Sequence, residues 1–126
     1  MKLHHVALWT TDLDRLSAFW REMFGARVGE VYISANTPGF SSRSITFDDI
    51  PFLELMCLPT LGDVATGIRP GYAHIAIALG SAAAVDAMAT RAGAASRLVA
   101  APRWTGDGFY EAVIADPDGN RIEITI

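Results

Sequence analysis

The sequence predicts an α+β fold in which two βαβββ modules form curved mixed sheets around a trough. Three observations support this: a repeated strand–helix order, four polar residues repeated at one spacing, and a stretch rich in Pro and Gly between the halves. The 126 residues, of which 51% are hydrophobic, suit a single domain with a core of ordinary size.

Two pairs of segments reveal an internal repeat. His5–Leu8 resembles His74–Ile77, and each is a short apolar strand that begins with a histidine and precedes a helix. Asp49–Leu55 resembles Asp118–Ile124, and each is a turn that leads into a strand with one glutamate. A duplicated unit is the simplest cause of both resemblances.

The spacing of the polar residues supports the duplication. His5 and His74 lie 69 positions apart, and Glu54 and Glu123 are separated by the same 69 positions. One offset therefore superposes both pairs.

The module boundaries follow from the repeat. Within the single domain 1–126, module one is predicted at about 1–58 and module two at about 72–126. The stretch 59–71 contains two Pro and three Gly and is predicted to be the linker.

Module one is predicted to begin with a strand at Leu3–Trp9. Asp12 can cap the next helix, whose apolar residues recur at helical spacing until Gly25, a suitable stop. Further strands are predicted near Arg27–Ile33, Arg43–Phe47 and Phe52–Leu58.

Module two is predicted to repeat this order, with a strand at Tyr72–Leu79. Ser81 caps an Ala-rich helix that continues through Ala92 and ends at Gly93. Further strands are predicted near Leu98–Ala101, Phe109–Ala115 and Arg121–Ile126.

Strand alternation separates an aliphatic face from a polar one, because successive side chains point to opposite faces. Leu53 and Leu55 are thus opposite Glu54, and the other three strands with a His or Glu show the same pattern. If the sheets curve together, the polar faces line one trough. By the same alternation, His4 is expected to point away from His5 and to lie at the surface or in packing.

Two imidazoles and two carboxylates form a donor set that suits one divalent ion of Zn, Ni, Co, Mn or Fe. A single His or Glu on a strand is more often a surface or packing residue. Four such residues at one offset on matching faces favour metal binding. We therefore predict that His5, Glu54, His74 and Glu123 bind one divalent metal ion per chain.

Four motifs carry a resemblance to a known family: His5–Leu8, Phe52–Met56, Tyr72–Ala76 and, most specific, Asp116–Glu123. On these motifs, which span nearly the whole chain, the protein resembles the vicinal oxygen chelate superfamily of glyoxalases, bleomycin resistance proteins and extradiol dioxygenases. The resemblance implies paired βαβββ modules around a metal-binding trough.

Within that superfamily the pattern is most similar to glyoxalase I-like proteins, which implies a metal-dependent lyase or isomerase. Those enzymes take one His or Gln and one Glu from each module. A metal-bound glutamate leaves the metal and removes a proton beside a carbonyl-derived centre, and the metal stabilises the enediolate. The resemblance implies that Glu123 is this base and Glu54 its symmetric substitute, acting on a small 2-oxo or thiohemiacetal substrate.

The substrate site departs from glutathione-dependent relatives. Those carry an arginine near the end of the first strand and an asparagine after the first ligand glutamate, whereas this chain has Trp9 and Leu58. Neither can bind a glutathione carboxylate. We count Trp9 as a candidate substrate contact. Further candidates are Arg103, which could bind a substrate carboxylate, and Trp104 and Tyr110, which could wall the pocket. For each of the three, a role at the surface or in packing is equally open.

Three other functions remain as alternatives. An epimerase of the methylmalonyl-CoA type would share the metal and the enolate chemistry. A drug-binding protein of the bleomycin-resistance type would keep the fold without metal ligands. An extradiol dioxygenase uses two His and one Glu, so Glu54 would be surplus.

Composition limits the partners. Ten Lys and Arg against 14 Asp and Glu give a net charge of -4, which offers no basic surface for nucleic acid. The sequence has no apolar run long enough for a membrane span and no signal-peptide core, so a cytoplasmic protein with a small-molecule substrate is expected. The resemblance and the open sheet edges of a two-module chain also predict a homodimer.

Overall fold

The computed structural model describes residues 1, 3–62, 67–68 and 70–126, so part of the predicted linker lies outside the described residues. The chain divides into two compact units, Met1–Val64 and Ala65–Ile126, which contain modules one and two. Each unit has one helix and one mixed sheet, which confirms the predicted α+β fold class.

Module one has its strands in the order β1-β5-β4-β2, with β3 also paired to β4. β1 runs parallel to β5, and the other pairs are antiparallel. The elements are β1 (Val6–Trp9), α1 (Leu13–Phe24), β2 (Arg27–Val28), β3 (Tyr32–Ile33), β4 (Ser41–Phe47) and β5 (Ile50–Cys57).

Module two has the strand order β6-β9-β8-β7, with β6 parallel to β9 and the other pairs antiparallel. The elements are β6 (Ile75–Ala78), α2 (Ala82–Ala94), β7 (Leu98–Trp104), β8 (Tyr110–Ala115) and β9 (Arg121–Thr125).

The backbone pairing of the two sheets repeats at the 69-residue offset that the polar residues predicted. The helix caps Asp12 and Ser81 are also 69 positions apart, and each accepts a hydrogen bond from a backbone N–H of the first helical turn. Val6 pairs with Leu53 across the strands of module one, and the equivalent pair in module two is Ile75 with Ile122. Likewise, the pair Ser42 and Met56 is equivalent to the pair Glu111 and Thr125.

Each helix covers the aliphatic face of its own sheet, which we call the helix face. Leu53 and Leu55 are buried there in module one, as are Ile122 and Ile124 in module two. The cores differ in the helix residue at one equivalent position. Trp20 of α1 is fully buried and stacks on Phe24 with the ring centroids 5.0 Å apart, whereas module two has Ala89.

Both leading strands are shorter than predicted, and their partners explain why. β1 begins at Val6 because the residue opposite His4 would be Pro51, which lacks a backbone N–H for the ladder. β6 begins at Ile75 because its partner β9 starts only at Arg121, after a turn. Both histidines therefore lie immediately before their strands.

Other element boundaries also differ from the prediction, as at the end of β7, which lies at Trp104 and not at Ala101. The strand predicted at Arg27–Ile33 is divided into β2 and β3 after Val28, at Gly29, a residue that weakens strands. Helix α2 continues past Gly93, and the chain reverses at Ser96, whose φ is 56°. The Arg97 N–H donates to the Ala92 carbonyl at 2.8 Å, as in a Schellman motif in which serine occupies the usual glycine position.

Within the described ranges, neither helix is long and apolar enough to cross a membrane.

Candidate metal centre

Module one brings His5 and Glu54 together. Glu54 lies on β5 directly opposite Ala7 of β1, and the side chain of His5, which immediately precedes β1, lies beside it. The His5 Nε2 and Glu54 Oε2 atoms are 3.5 Å apart, and the side chains are 40% and 34% exposed. We call this pair half-site one, and the face that carries it the ligand face.

Module two builds the same arrangement. Glu123 lies on β9 opposite Ala76, and the His74 Nε2 and Glu123 Oε2 atoms are 3.4 Å apart. We call this pair half-site two. The repeated register therefore places a histidine and a glutamate in matching positions on both sheets.

The donor separations fit shared coordination better than a direct hydrogen bond. An N–H···O hydrogen bond has its heavy atoms about 2.7–3.2 Å apart. Two donors about 2.0–2.2 Å from one ion, at a tetrahedral angle, are about 3.3–3.6 Å apart. Each half-site matches the second spacing, so the residues fit a divalent ion.

Each module by itself supplies two such donors. Among the residues that the structure describes, no three His, Cys, Asp or Glu side chains form one metal-binding group. A four-ligand centre therefore requires one half-site from each of two modules.

Glu123 is distinguished by its neighbours. Burial raises its pKa, and the nearby Glu111 carboxylate raises it further by repulsion and by a hydrogen bond. His74 and Arg103 act in the opposite direction. A raised pKa makes a carboxylate a stronger base once it is deprotonated.

Glu111 was not predicted as a site residue. It lies on β8 on the ligand face, is 8% exposed, and forms a 2.9 Å ion pair with Arg103. Its equivalent in module one is Ser42. The sequence signal that could have identified Glu111 is its position as an acidic residue within an otherwise uncharged strand. Arg103 thus lies on the ligand face, with its guanidinium bound to Glu111.

His4 contacts His5, contrary to the expectation that it points away. The two Nδ1 atoms are 2.8 Å apart and the rings meet edge to face. Alternation does not apply because both residues precede β1. A hydrogen bond between the Nδ1 atoms leaves Nε2 of His5 facing Glu54, as a ligand histidine needs.

Trp104 and Tyr110 do not lie beside Glu123. Tyr110 is on the helix face, where its hydroxyl donates to Asp86 of α2 at 2.7 Å, and that carboxylate raises the pKa of Tyr110. Trp104 pairs with Tyr110, with the ring centroids 5.2 Å apart. Strand alternation therefore places both rings on the face of this sheet that points away from Glu123. Their role as pocket walls stays a prediction.

Trp9 lies on the ligand face of module one. It is opposite Met56, two residues beyond Glu54 on β5, and is 47% exposed. A cavity of about 430 Å³ lies elsewhere in module one, lined by residues such as Phe24, Arg27 and Asp49. Neither residue of half-site one lines this cavity.

The comparison with protein families identifies the chain. The model of the Glyoxalase/Bleomycin resistance protein/Dioxygenase superfamily matches residues 2–124. The chain belongs to this superfamily. Its members bind small-molecule substrates and often dimerise, and the glyoxalase I-like members typically bind a divalent metal ion. An uncharacterised protein of Pseudomonas aeruginosa is 34% identical over 132 residues, which cover 98% of this chain and 86% of that relative.

Solved structures of the superfamily share the fold. Glyoxalase I of Zea mays matches with a TM-score of 0.77 and 20% identity over 98% of this chain, which spans only 44% of the maize chain. Trypanothione-dependent glyoxalase I of Leishmania major gives a TM-score of 0.75 and 21% identity, covering 99% of this chain and 86% of that one. A superfamily domain from Frankia gives a TM-score of 0.84 and 17% identity, covering 100% of this chain and 97% of that one. At these identities the likeness establishes the fold alone.

Proposed function

We propose that this superfamily member is a metal-dependent, glyoxalase I-like lyase or isomerase. In this proposal residues 1–126 act as one domain, and His5, Glu54, His74 and Glu123 hold one divalent ion of Zn, Ni, Co, Mn or Fe. The observation that carries the proposal is the matching His–Glu pair on each sheet, with donor separations of 3.5 and 3.4 Å.

The residues divide the chemical work. A divalent ion bound to this donor set supplies a Lewis acid for the substrate carbonyl oxygen. Glu123 removes the proton from the carbon beside that carbonyl and returns it to the neighbouring carbon. Its raised pKa suits a general base, and Glu54 in the equivalent position is its substitute.

The substrate in this proposal is a small 2-oxo compound or its thiohemiacetal. Arg103 is on the ligand face, 49% exposed, with Glu111 holding one guanidinium nitrogen, so other N–H groups can bind a substrate carboxylate. Trp9 offers an apolar surface in module one. The donor set argues against a drug-binding protein without a metal.

Metal binding by tag-free protein tests the proposal. We expect one ion per chain, with His5→Ala and His74→Ala each lowering the affinity at least about tenfold because each removes a ligand. Glu30→Gln, which changes an exposed acid outside both half-sites, is the matched control. Full metal occupancy in both histidine variants would contradict the proposed centre.

The reaction is tested with 2-oxo aldehydes and several thiols in deuterated water, where proton abstraction incorporates solvent deuterium into the product. We expect glutathione to be a poor thiol, because Trp9 and Leu58 stand where its charge-binding residues are expected. A kcat/KM of about 10⁴ M⁻¹s⁻¹ or more with the methylglyoxal–glutathione adduct would overturn that prediction.

A further inference from the structure

The ligand face of module one continues past Glu54 into a row of large uncharged side chains. Cross-strand pairing places Tyr32 opposite Ser42, Ser42 opposite Met56, and Met56 opposite Trp9. Directly paired residues point to the same face of a sheet. All four therefore share the face of Glu54, two residues further along β5.

A third ring joins the two ends of this row. Phe40 lies 6.3 Å from Trp9 and 6.5 Å from Tyr32 between ring centroids, edge to face with Trp9 and tilted by 67° to Tyr32. Trp9 and Tyr32 remain 47% and 57% exposed. We call Trp9, Tyr32, Phe40 and Met56 the aromatic row.

Module two has no such row at the equivalent pairs. Thr125 stands where Met56 stands in module one, and Glu111 where Ser42 stands, with Arg103 opposite Glu111 in place of a tyrosine. Both ligand faces thus carry a His–Glu pair, but the residues next to that pair differ between the modules. In module one they are uncharged and largely apolar, whereas in module two they include the ion pair between Arg103 and Glu111.

We propose that the aromatic row binds an aromatic or similarly flat apolar substituent on the carbonyl substrate, and so selects substrates larger than methyl ketoaldehydes. This rests on the proposed function. The row begins about 7 Å along β5 from Glu54, because a strand advances about 3.4 Å per residue. That is the reach of a phenyl group attached to a carbonyl held at half-site one.

The chemistry of the row favours this occupant over a charged one. It contains no ionisable group except the Tyr32 phenol, and its rings present faces and edges on which another ring stacks. Exposed apolar surface beside a polar site marks ligand grooves as well as protein contacts. Continuity with half-site one identifies the ligand as part of the substrate.

Binding of two hydroxamates to Co(II)-loaded protein tests the proposal without turnover. Acetohydroxamate and benzohydroxamate chelate metals through the same atoms and differ by a methyl against a phenyl group. Both are titrated by absorption of the bound Co(II). We expect wild type to bind benzohydroxamate about tenfold more tightly, since burying a ring adds area and stacking.

Variants assign that preference to the row. Trp9→Ala and Tyr32→Ala should each reduce it about three- to tenfold, while the acetohydroxamate affinity stays within about twofold. Trp9→Phe should retain most of the preference. Ile33→Ala, which removes an exposed apolar side chain from the residue next to Tyr32 on β3 and from the opposite face of the sheet, is the control and should change neither affinity.

The other outcomes separate the two proposals. If acetohydroxamate binds but the preference is absent in wild type, or survives both alanine variants, the aromatic row is overturned and the metal centre stands. If Trp9→Ala and Tyr32→Ala instead convert a dimer to monomers without altering the preference, the row is a subunit contact and the inference is wrong. If no Co(II) binds, the proposed function fails and the inference fails with it.

Discussion

Glu54 and Glu123 occupy equivalent strand positions but have different neighbours. Glu123 has Glu111 on the adjacent strand β8 and Arg103 on β7, the next strand after it, while the position equivalent to Glu111 in module one is Ser42. Burial and the Glu111 carboxylate raise the pKa of Glu123. This asymmetry is the structural reason to assign the base role to Glu123.

Glu123→Gln tests that assignment. The amide keeps the shape and one oxygen donor but cannot accept a proton, so metal affinity should fall modestly and turnover about 10²–10⁴-fold. Glu54→Gln should reduce turnover less. Exchange of a substrate proton with deuterated water measures the step directly. Exchange at the wild-type rate by metal-loaded Glu123→Gln would show that Glu123 is only a ligand.

The raised pKa of Glu123 also predicts how metal binding depends on pH. Only deprotonated carboxylates and neutral imidazoles bind a cation, so affinity falls as the pH is lowered, and the protonation of Glu123 contributes to that fall. Glu111→Gln removes the neighbouring charge and lowers the pKa of Glu123, which moves the fall to lower pH. Competition titrations between about pH 4.5 and 7.5, each normalised to its own plateau, measure the midpoint.

The matched control for this shift is Ser42→Ala, the equivalent position of module one, which should leave the midpoint unchanged. An unmoved midpoint in Glu111→Gln would show that Glu111 does not govern the protonation of Glu123.

The proximity of His5 to Glu54 and of His74 to Glu123 could be predicted from sequence because one offset of 69 residues relates the two pairs. Their surroundings could not. Glu111 and Arg103 meet Glu123 only through the pairing of β7, β8 and β9. The contact between Tyr110 and Asp86 could not be predicted either, because it depends on which strand residues face α2.

At the level of elements, the end of α2 shows the limit of local signals. Gly93 is a plausible stop in sequence, but the helix continues to Ala94 because a Schellman turn at Ser96 supplies the capping hydrogen bonds. Asp12 and Ser81 cap as predicted, since an N-cap needs only its own side chain and the next turn. Gly93 is therefore an interior helix residue.

Gly93→Ala should stabilise module two. A Cβ at this position would meet only the Leu98 Cδ2 atom, at 3.9 Å, which is an ordinary contact. Alanine in a helix interior is favoured over glycine by about 0.8–1.0 kcal/mol. We expect the free energy of unfolding in urea to rise by about that amount. Gly25→Ala is the contrasting variant, because Gly25 has a φ of 67° and alanine there should destabilise.

At the scale of the molecule, the two modules repeat one fold. Each half-site contains two of the four proposed ligands, and each leading strand, β1 and β6, lies at the edge of its own sheet. Open edges favour pairing with another strand. We therefore propose a homodimer in which module one of each chain pairs with module two of the other.

Complementation between defective chains tests this arrangement. One variant carries His5→Ala and Glu54→Ala, the other His74→Ala and Glu123→Ala, and neither should bind metal by itself. If sites form between chains, a heterodimer of the two has one intact site, made from the unaltered module of each. Random subunit exchange in an equal mixture should then restore about one ion per four chains. Light scattering should give a dimeric mass throughout. A mixture that exchanges subunits yet binds no metal would show that each site is built within one chain.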